Sequence, residues 1–362
     1  MTRAALAFLT ILLLAGNADA ADQNVVRIYN WSDYIAPGVL DEFTRETGIQ
    51  VIYDTFDSDE ALEAKLLAGH TGYDVVVPSA AFLQPEIRAG VFLKLDRTKL
   101  PNWKNLWPAV MRRLAVYDPG NQYAVNYMWF TTGIAYNAAE AKKRFRGHAP
   151  DSWDILFKPQ EIRKFADCGV YMLDRPEAVL TSALRYLRLN PDSKNPVDIQ
   201  RAADVVLRVK RYVKKFRSSK YINALANGDI CLALGRGGES LQARDRAAAA
   251  SNGVDVDYVI PKEGGLMSLD NLAIPKDAPD PESALKFINF LMRPDIAARN
   301  TNATGFANGV LASKPFVEKN IRDNPAVYPP TSIMQRLYTV TMNAPPLQKM
   351  IEREWLRVKR GR

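Results

Sequence analysis

The chain has 362 residues, with 48 Lys and Arg against 40 Asp and Glu, and therefore a formal net charge of +8 at pH 7. Its composition is that of an ordinary globular protein, which excludes a disordered or fibrous chain. No apolar run reaches the ~20 residues that a membrane-spanning helix requires.

The first 20 residues have the pattern of a secretory signal peptide. Arg3 forms a short positive segment, an apolar run covers residues 4–15, and Ala18-Asp19-Ala20 fits a cleavage site. The segment carries one base and one acid, so cleavage after Ala20 would leave the charge of +8 unchanged. We therefore expect an exported protein, and a chain of this length predicts two lobes.

Strands and helices alternate at the start of the predicted mature chain. The stretch "NVVRIYNW" predicts a strand, and "PGVLDEFTRETG" predicts a helix that begins at a proline and ends at Gly48. A second strand is predicted over "IQVIYDTF". This order is typical of an α/β lobe with crossover connections.

The same alternation continues with a second helix and a third strand. The stretch "SDEALEAKLLAG" predicts a helix with Leu62, Leu66 and Leu67 on one apolar face. The nearly continuous apolar run "YDVVVPSA" predicts a strand buried on both faces of a parallel sheet.

A long β-rich stretch, "YAVNYMWFTTGIAYN", occupies residues 123–137. Thr131, Thr132 and Gly133 interrupt it, as expected of a strand that crosses between two lobes and bends at a hinge. Two later stretches, "VDVDYVIPKEGG" and "SLDNLAIPKDAP", predict strands that return toward the first lobe.

A chain that leaves a lobe and returns to it makes both lobes discontinuous, and the cleft between them becomes the expected ligand site. The predicted division has four parts. Lobe 1 comprises residues 21–130 plus about 250–305, and lobe 2 comprises residues 131–249 plus about 306–362.

The chain contains two cysteines, Cys168 and Cys231. An even number in an oxidising compartment favours one disulfide over metal ligation or thiol catalysis. Two free buried thiols remain the alternative.

Two basic stretches, "RVKRYVKKFRSSK" and "EWLRVKRGR", could indicate nucleic acid or a membrane surface as a partner. Their basic residues alternate with apolar residues at helical spacing, which is typical of a solvated helix face. An exported protein seldom meets nucleic acid, so we expect no nucleic-acid partner.

Signals for an enzyme are weak. His70 and His148 are the only histidines, and neither lies beside a nucleophile signature. The glycine-rich "GRGGES" matches neither a P-loop nor a dinucleotide fingerprint, and no metal-ligand spacing is present. Carboxylates in a cleft could imitate a glycosidase pair. We predict no catalysis, no cofactor and no metal.

The stretch "IYNWSDYI" places two aromatic rings, a hydroxyl and a carboxylate at the end of the first strand. Such a cluster could bind a cation between aromatic faces and a carboxylate. It could equally fill the end of a strand as part of the core.

Several fragments in the same order resemble the periplasmic polyamine-binding proteins, which are the solute receptors of bacterial spermidine/putrescine ABC importers. The resemblance runs from about Val25 to the C-terminus. The fragments are "YNWSDYIAP", "FDSDEALEAKLLAGHTGYDVVVPSAAFL", "AGVFLKLD", "KLPNW", "YMWFTTGIAYN", "YINALANGDICLALG" and "IPKEGG".

The resemblance implies a two-lobed α/β fold that closes on a ligand, a location in the periplasm and a monomeric receptor that delivers an amine to membrane permease subunits. It also places a disulfide at the two cysteines. Trp31 and Tyr34 would bracket an aliphatic diamine, while Ser32 and Asp33 would meet its ammonium group. Asp270 would bind an amine.

The resemblance also implies a cleft position for Ser79, at the end of the third strand. Other positions depart from the family pattern. Where putrescine receptors carry Gly-Trp-Ala-Gly-Asp, this chain reads "GRGGE", so Arg236 replaces an aromatic wall and Glu239 replaces an aspartate.

Three further cleft positions differ from the family. Glu177 is followed by Ala178, so that the second of two consecutive acids is missing. Ser268 stands where the family has an aromatic residue, and Phe306 stands where it has a tyrosine.

Arg236 leaves two ligand classes open. Its guanidinium stays charged and would repel a second ammonium group in a partly dry cleft. If it pairs with Glu239, the cleft is neutral at that point and a polyamine such as putrescine is the predicted ligand. If it faces the ligand, it would bind a carboxylate, which favours an ω-amino acid or a γ-glutamyl-polyamine.

Overall fold

The computed structural model describes residues 24–145, 150–218 and 220–361. The predicted signal peptide over residues 1–20 lies outside the described residues. The strands are β1 (Val25–Trp31), β2 (Gln50–Phe56), β3 (Val75–Val76), β4 (Ala124–Asn137), β5 (Val170–Met172), β6 (Lys215–Phe216), β7 (Leu232–Arg236), β8 (Val256–Val259), β9 (Met267–Ala273) and β10 (Ala307–Asn308).

At least one α-helix lies between consecutive strands along the chain, except between β8 and β9. The α-helices are α1 (Val39–Thr47), α2 (Asp59–Ala68), α3 (Ala80–Ala89), α4 (Pro108–Leu114), α5 (Ala138–Phe145), α6 (Asp154–Phe157), α7 (Pro159–Ile162), α8 (Pro176–Tyr186), α9 (Pro196–Val209), α10 (Tyr221–Ala226), α11 (Gly237–Ala250), α12 (Pro281–Leu291), α13 (Pro294–Thr304), α14 (Lys319–Arg322), α15 (Thr331–Met334) and α16 (Pro345–Arg360). Short 3-10 helices cover Arg97–Lys99, Pro101–Asn105, Arg163–Phe165, Lys210–Tyr212 and Leu311–Phe316.

The first sheet has the strand order β2-β1-β3-β9-β4, and β10 pairs with β4. Strand β1 is parallel to β2 and β3, as expected of strands joined by crossover helices, whereas β9 is antiparallel to its neighbours. Val26 and Ile28 of β1 are buried, and Phe43 of α1 packs against Phe287 of α12 with ring centroids 5.1 Å apart. The carboxyl ends of β1 and β3 therefore meet at one edge of the sheet.

The long strand β4 belongs to both lobes, as the sequence predicts. Its residues up to Thr131, which pairs with Met267, form a ladder with β9. From Thr132, which pairs with Arg236, the strand forms a ladder with β7, and the second sheet continues through β5 to β6. The change of sheet thus occurs between two consecutive residues.

Gly133 lies immediately after this change of sheet. A Cβ atom at this position would lie 2.5 Å from the Tyr258 hydroxyl oxygen and 2.5 Å from the Val259 carbonyl oxygen. Glycine is required here because strand β8 approaches the backbone of β4 closely.

The α/β fold with two lobes is confirmed, but strand pairing differs from the predicted boundaries at two places. Residues 256–259 were expected in lobe 1, yet β8 pairs with residues 134–137 in the second half of β4. Residues 307–308 were expected in lobe 2, yet β10 pairs with residues 128–129 in the first half. The chain thus pairs with the second half of β4 before β9, and with its first half in β9 and β10. The lobe boundaries themselves stay a prediction.

Three local predictions also differ from the structure. Leu62 and Leu66 of α2 are buried, but Leu67 is 58% exposed, because it lies one position past the apolar face. The predicted third strand is reduced to the two residues of β3. The basic stretch over residues 208–216 does not form one helix face, because it runs from the end of α9 through a 3-10 turn into β6.

Cys168 and Cys231 form a disulfide, with their Cα atoms 5.6 Å apart. It joins the segment before β5 to the residue before β7, and these two strands are parallel neighbours in the second sheet. The predicted disulfide is thus confirmed, and the alternative of two free thiols is wrong.

Candidate functional site

A cleft of ≈ 750 Å³ lies between the two lobes. All eleven residues that the sequence predicts as ligand-binding residues line this cleft. They are Trp31, Ser32, Asp33, Tyr34, Ser79, Glu177, Arg236, Glu239, Ser268, Asp270 and Phe306. A separate open depression of ≈ 830 Å³ beside α14 contains none of them. The structure therefore brings the predicted set together, and the contacts of each residue with a ligand stay predictions.

The turn after β1 forms one end of the cleft. The Trp31 indole N–H donates a hydrogen bond of 3.0 Å to the Val77 carbonyl oxygen, and its ring lies 4.5 Å from that of Phe56. Asp33 has a φ of 56°, a left-handed conformation that aspartate tolerates better than most residues. These contacts fix the Trp31 ring while leaving part of its surface in the cleft.

Ser32 and Asp33 are exposed in this turn. The Ser32 hydroxyl donates a hydrogen bond of 3.2 Å to Oδ1 of Asp57, another exposed cleft residue. Solvent screens charges at such positions, so these carboxylates can attract a cation but bind it weakly by themselves.

Tyr34 and Asp270 form the buried floor of the cleft. The Tyr34 hydroxyl donates a hydrogen bond of 2.6 Å to Oδ2 of Asp270, and the two residues are 6% exposed each. Burial raises the pKa of Asp270 to about 7, although the hydrogen bond from Tyr34 opposes this shift. The carboxyl group is thus poised between its neutral and ionised forms near neutral pH.

Ser79 connects Asp270 with a second buried acid, Asp59. Its backbone N–H donates a hydrogen bond of 3.0 Å to Oδ1 of Asp59, and its backbone forms an isolated β-bridge with Asp270. Asp59 is 8% exposed, and burial raises its pKa to about 6. The carboxyl groups of Asp59 and Asp270 therefore lie near each other, one on each side of Ser79, in the wall formed by lobe 1.

Arg236 is paired with Glu239. Its Nη1 lies 2.8 Å from Oε1 of Glu239, and the Tyr221 hydroxyl donates a hydrogen bond of 2.7 Å to the other carboxylate oxygen. The same hydroxyl accepts a hydrogen bond of 2.9 Å from the Arg236 backbone N–H. The carboxylate-binding alternative loses its main support, because a carboxylate of the protein already occupies the guanidinium.

Aromatic side chains surround this ion pair. The Arg236 guanidinium carbon lies 5.3 Å from the centre of the Phe130 ring, and Phe306 packs against both Phe130 (5.3 Å) and Tyr34 (5.4 Å). No sequence pattern marks Phe130 as a cleft residue. The cleft thus retains an apolar wall although Arg236 stands where the family has an aromatic residue.

The remaining predicted residues lie nearer to solvent. Glu177, in the first turn of α8, is exposed within the cleft, and Ser268 of β9 is half-buried. Ala178 also lines the cleft, next to Glu177. Five charged residues that sequence reasoning missed also line the cleft. They are Asp57, Asp59, Arg175, Lys220 and Arg246.

One of the two histidines of the chain, His70, lies within the described residues. His70 follows α2 and is not among the residues that line the cleft. His148 lies in residues 146–149, outside the described residues. Within the described ranges, no helix combines the length and the apolar character needed to cross a membrane.

Comparison with known proteins identifies the family. The sequence profile of the bacterial extracellular solute-binding proteins matches residues 38–329. The chain is 51% identical over 350 residues to the putrescine-binding periplasmic protein SpuD of Pseudomonas aeruginosa, covering 96% of this chain and 95% of that protein. It is 46% identical to the putrescine-binding periplasmic protein PotF of Escherichia coli, covering 95% and 93% of the two chains.

Comparison with solved structures supports the same family. The spermidine/putrescine ABC transporter substrate-binding protein PotD of Streptococcus pneumoniae superposes with a TM-score of 0.83 at 28% identity, covering 93% of this chain and 99% of that one. The resemblance stated from sequence fragments is thus confirmed over nearly the whole chain. This protein belongs to the bacterial extracellular solute-binding protein family, among the relatives of the periplasmic polyamine-binding proteins.

Proposed function

We propose that this protein is a periplasmic receptor that captures a short diamine, such as putrescine, between its lobes and delivers it to the permease subunits of an ABC importer. It returns the ligand unchanged and acts as a monomer. The buried carboxyl group of Asp270 carries the proposal. Its hydrogen-bond partner is Tyr34, and no cation of the described ranges forms an ion pair with it within 4.0 Å. A buried carboxylate requires a positive partner, which an ammonium group would supply.

The rest of the cleft supports this ligand class. Aromatic surfaces of Trp31, Tyr34 and Phe306 can cover an alkyl chain and attract an ammonium group, which gains roughly 0.5 to 2 kcal/mol over an aromatic face. The relatives SpuD and PotF carry putrescine in their names, which supports the same choice. Pairing between Arg236 and Glu239 removes the reason to expect a ligand carboxylate.

Binding would close the cleft. A ligand that contacts both lobes favours the closed arrangement by its differential affinity for the two states. The permease subunits would then recognise the closed receptor, as expected for hinge-closing binding proteins.

A thermal-shift screen followed by calorimetry tests the proposal. Putrescine, cadaverine, spermidine, agmatine and 4-aminobutyrate would each be added to the purified protein, since a ligand at 100 times its Kd stabilises by ~2.7 kcal/mol. We expect diamines to give the largest shifts, recovery of unchanged ligand and a smaller radius of gyration with putrescine in small-angle scattering. Stabilisation by 4-aminobutyrate but not by any diamine would overturn the proposal.

A further inference from the structure

The two walls of the cleft carry opposite excess charge. The wall from lobe 1 contributes carboxylates and no basic residue among the described cleft residues. These carboxylates are Asp33, Asp57, Asp59 and Asp270. The wall from lobe 2 contributes two acids and four bases. These are Glu177, Glu239, Arg175, Lys220, Arg236 and Arg246.

The formal charge of the cleft follows from this count. Six acids against four bases leave a charge of −2, which equals the charge needed to neutralise a diamine with two ammonium groups. A triamine would bring one positive charge more than the cleft can neutralise. The bases of lobe 2 therefore set an upper limit on the ligand charge that the cleft accommodates well.

The four bases do not contribute equally. Arg236 is neutralised locally by Glu239 at 2.8 Å. Lys220 and Arg246 are exposed at the edge of the cleft, where water and salt screen their charges. Arg175 is half-buried and has no ion pair shorter than 4.0 Å with any residue in the described ranges.

Arg175 lies where its charge acts on carboxyl groups of both cleft walls. It directly precedes α8, in an extended conformation, and lines the cleft opposite Asp59 and Asp270. Its positive charge lowers the pKa of Glu177 on its own wall and of Asp59 and Asp270 on lobe 1, in each case against the larger effect of burial. Arginine remains charged at any relevant pH, so the protein cannot remove this charge by titration. Arg175 thus places a fixed positive charge in the cleft without forming an ion pair with either buried carboxyl group of lobe 1.

We propose that Arg175 is a specificity-determining residue that restricts the cleft to ligands with two ammonium groups and disfavours those with three. This inference deepens the proposed function and rests on it. The fixed guanidinium offsets one carboxylate in the formal charge of the cleft, so that no negative charge is left to neutralise a third ammonium group. Loss of its charge would change the formal charge of the cleft from −2 to −3, the value that suits a triamine.

Isothermal titration calorimetry with butylamine, putrescine and spermidine, which carry one, two and three ammonium groups, tests this inference. A guanidinium about 10 Å from a ligand ammonium, at an effective dielectric constant of 20, lowers the binding constant by about tenfold for each ammonium group. Arg175→Gln should therefore improve the affinity for spermidine by about tenfold more than the affinity for putrescine. Butylamine should gain least.

Two control variants separate charge from structure. Arg175→Lys keeps the positive charge and should retain the selectivity of the parent. Arg208→Gln makes the same change at an exposed position of α9 in lobe 2, outside the residues that line the cleft, and should change the ratio of the two affinities by less than about twofold. Thermal unfolding of each variant checks that it is folded. If Arg175→Gln does not fold, Arg175→Ala takes its place as the variant without the charge.

The outcomes distinguish this inference from the proposed function. A parent protein that binds neither putrescine nor cadaverine contradicts the proposed function itself. A parent that binds putrescine, with an unchanged spermidine-to-putrescine ratio in Arg175→Gln, overturns the role of Arg175 alone. A parent that already prefers spermidine to putrescine overturns it as well.

Discussion

The Tyr34 hydroxyl donates a 2.6 Å hydrogen bond to Asp270 and thereby joins the turn after β1 to strand β9. The Tyr127 hydroxyl in turn donates a 2.7 Å hydrogen bond to the backbone carbonyl oxygen of Tyr34. Tyr127 of β4 thus holds Tyr34 in place, and Tyr34 orients the buried carboxyl group of Asp270 before any ligand binds. Such preorganisation lowers the cost of ordering the site on binding.

Replacement of Asp270 by asparagine should remove the principal counter-charge for a bound amine while keeping the shape of the side chain. We expect the affinity for putrescine to fall by ~2 to 5 kcal/mol, as for the loss of one partner of a buried charge pair. Calorimetry measures the effect. Asp57→Asn, the same change at an exposed cleft position, should have a much smaller effect, and equal effects in both variants would contradict the assignment of Asp270.

The affinity for a diamine should depend on pH through Asp270. Its pKa is raised to about 7, so below that pH the carboxyl group must lose a proton before it can hold an ammonium group. We expect affinity to rise with pH through about 7 and then to level off, with proton release on binding near pH 6.5. Calorimetry in buffers of different ionisation enthalpy detects this proton, and Asp270→Asn should abolish most of the dependence. An affinity that is flat between pH 5.5 and 8 in the parent would be incompatible with this mechanism.

The unliganded protein should show the opposite dependence in its stability. Because the pKa of Asp270 is raised in the folded state from 3.8 to about 7, the folded state binds the proton more tightly than the unfolded state. The contribution of Asp270 to the free energy of unfolding is therefore largest below pH 3.8 and declines as the pH rises to about 7. Denaturant unfolding at pH 5.5 and 7.5 should show a larger stabilising effect of Asp270→Asn at pH 7.5. A variant that is equally stabilised at both values would contradict the raised pKa.

Trp31→Ala should weaken binding without unfolding the protein. The variant loses an aromatic face that would cover the ligand, and we expect a loss of roughly 1 to 2 kcal/mol in the binding free energy. Trp31→Phe keeps an aromatic ring and should recover part of the loss. Calorimetry and a thermal unfolding curve for each variant separate binding from stability, and wild-type affinity in Trp31→Ala would mean that the ring faces away from the ligand.

Removal of the disulfide should affect stability and not binding. The bond closes a loop with a sequence separation of 63, worth about 4 kcal/mol in the chain-entropy model. Neither Cys168 nor Cys231 lines the cleft. The double variant Cys168→Ser with Cys231→Ser should therefore unfold at lower denaturant concentration, with putrescine affinity at 25 °C changed by less than about twofold. A large loss of affinity in a folded variant would show that the disulfide also positions the cleft.

The predictable part of the site is the part that local sequence signals mark. The cluster at residues 31–34 ends a strand with aromatic and polar residues, which marks it in the sequence. Asp270 was predicted in a different way, from the resemblance to the family. Asp59 and Arg175 were missed because each has an ordinary local explanation. An acid in the first turn of a helix and a base before a helix-starting proline are common features, and their place in the cleft depends on how the lobes pack.

The pairing of Arg236 could not be decided from sequence for a similar reason. A spacing of three residues permits an ion pair on a helix, but Arg236 ends β7 whereas Glu239 lies in the first turn of α11. The Tyr221 hydroxyl from α10 fixes the geometry of this pair, and its contribution comes from tertiary structure. The pairing of β8 and β10 with opposite halves of β4 could not be predicted either, because the alternation of residues along a strand does not reveal the partner of that strand.

Strand β4 has one further consequence, for the way in which the protein unfolds. Its 14 residues carry the ladders of both sheets without a flexible linker between them. Loss of either sheet removes hydrogen-bond partners from the same continuous segment, so neither lobe can melt while leaving the other intact. The two lobes should therefore behave as a single cooperative unit, and the backbone amides of β4 should exchange with solvent only through global unfolding.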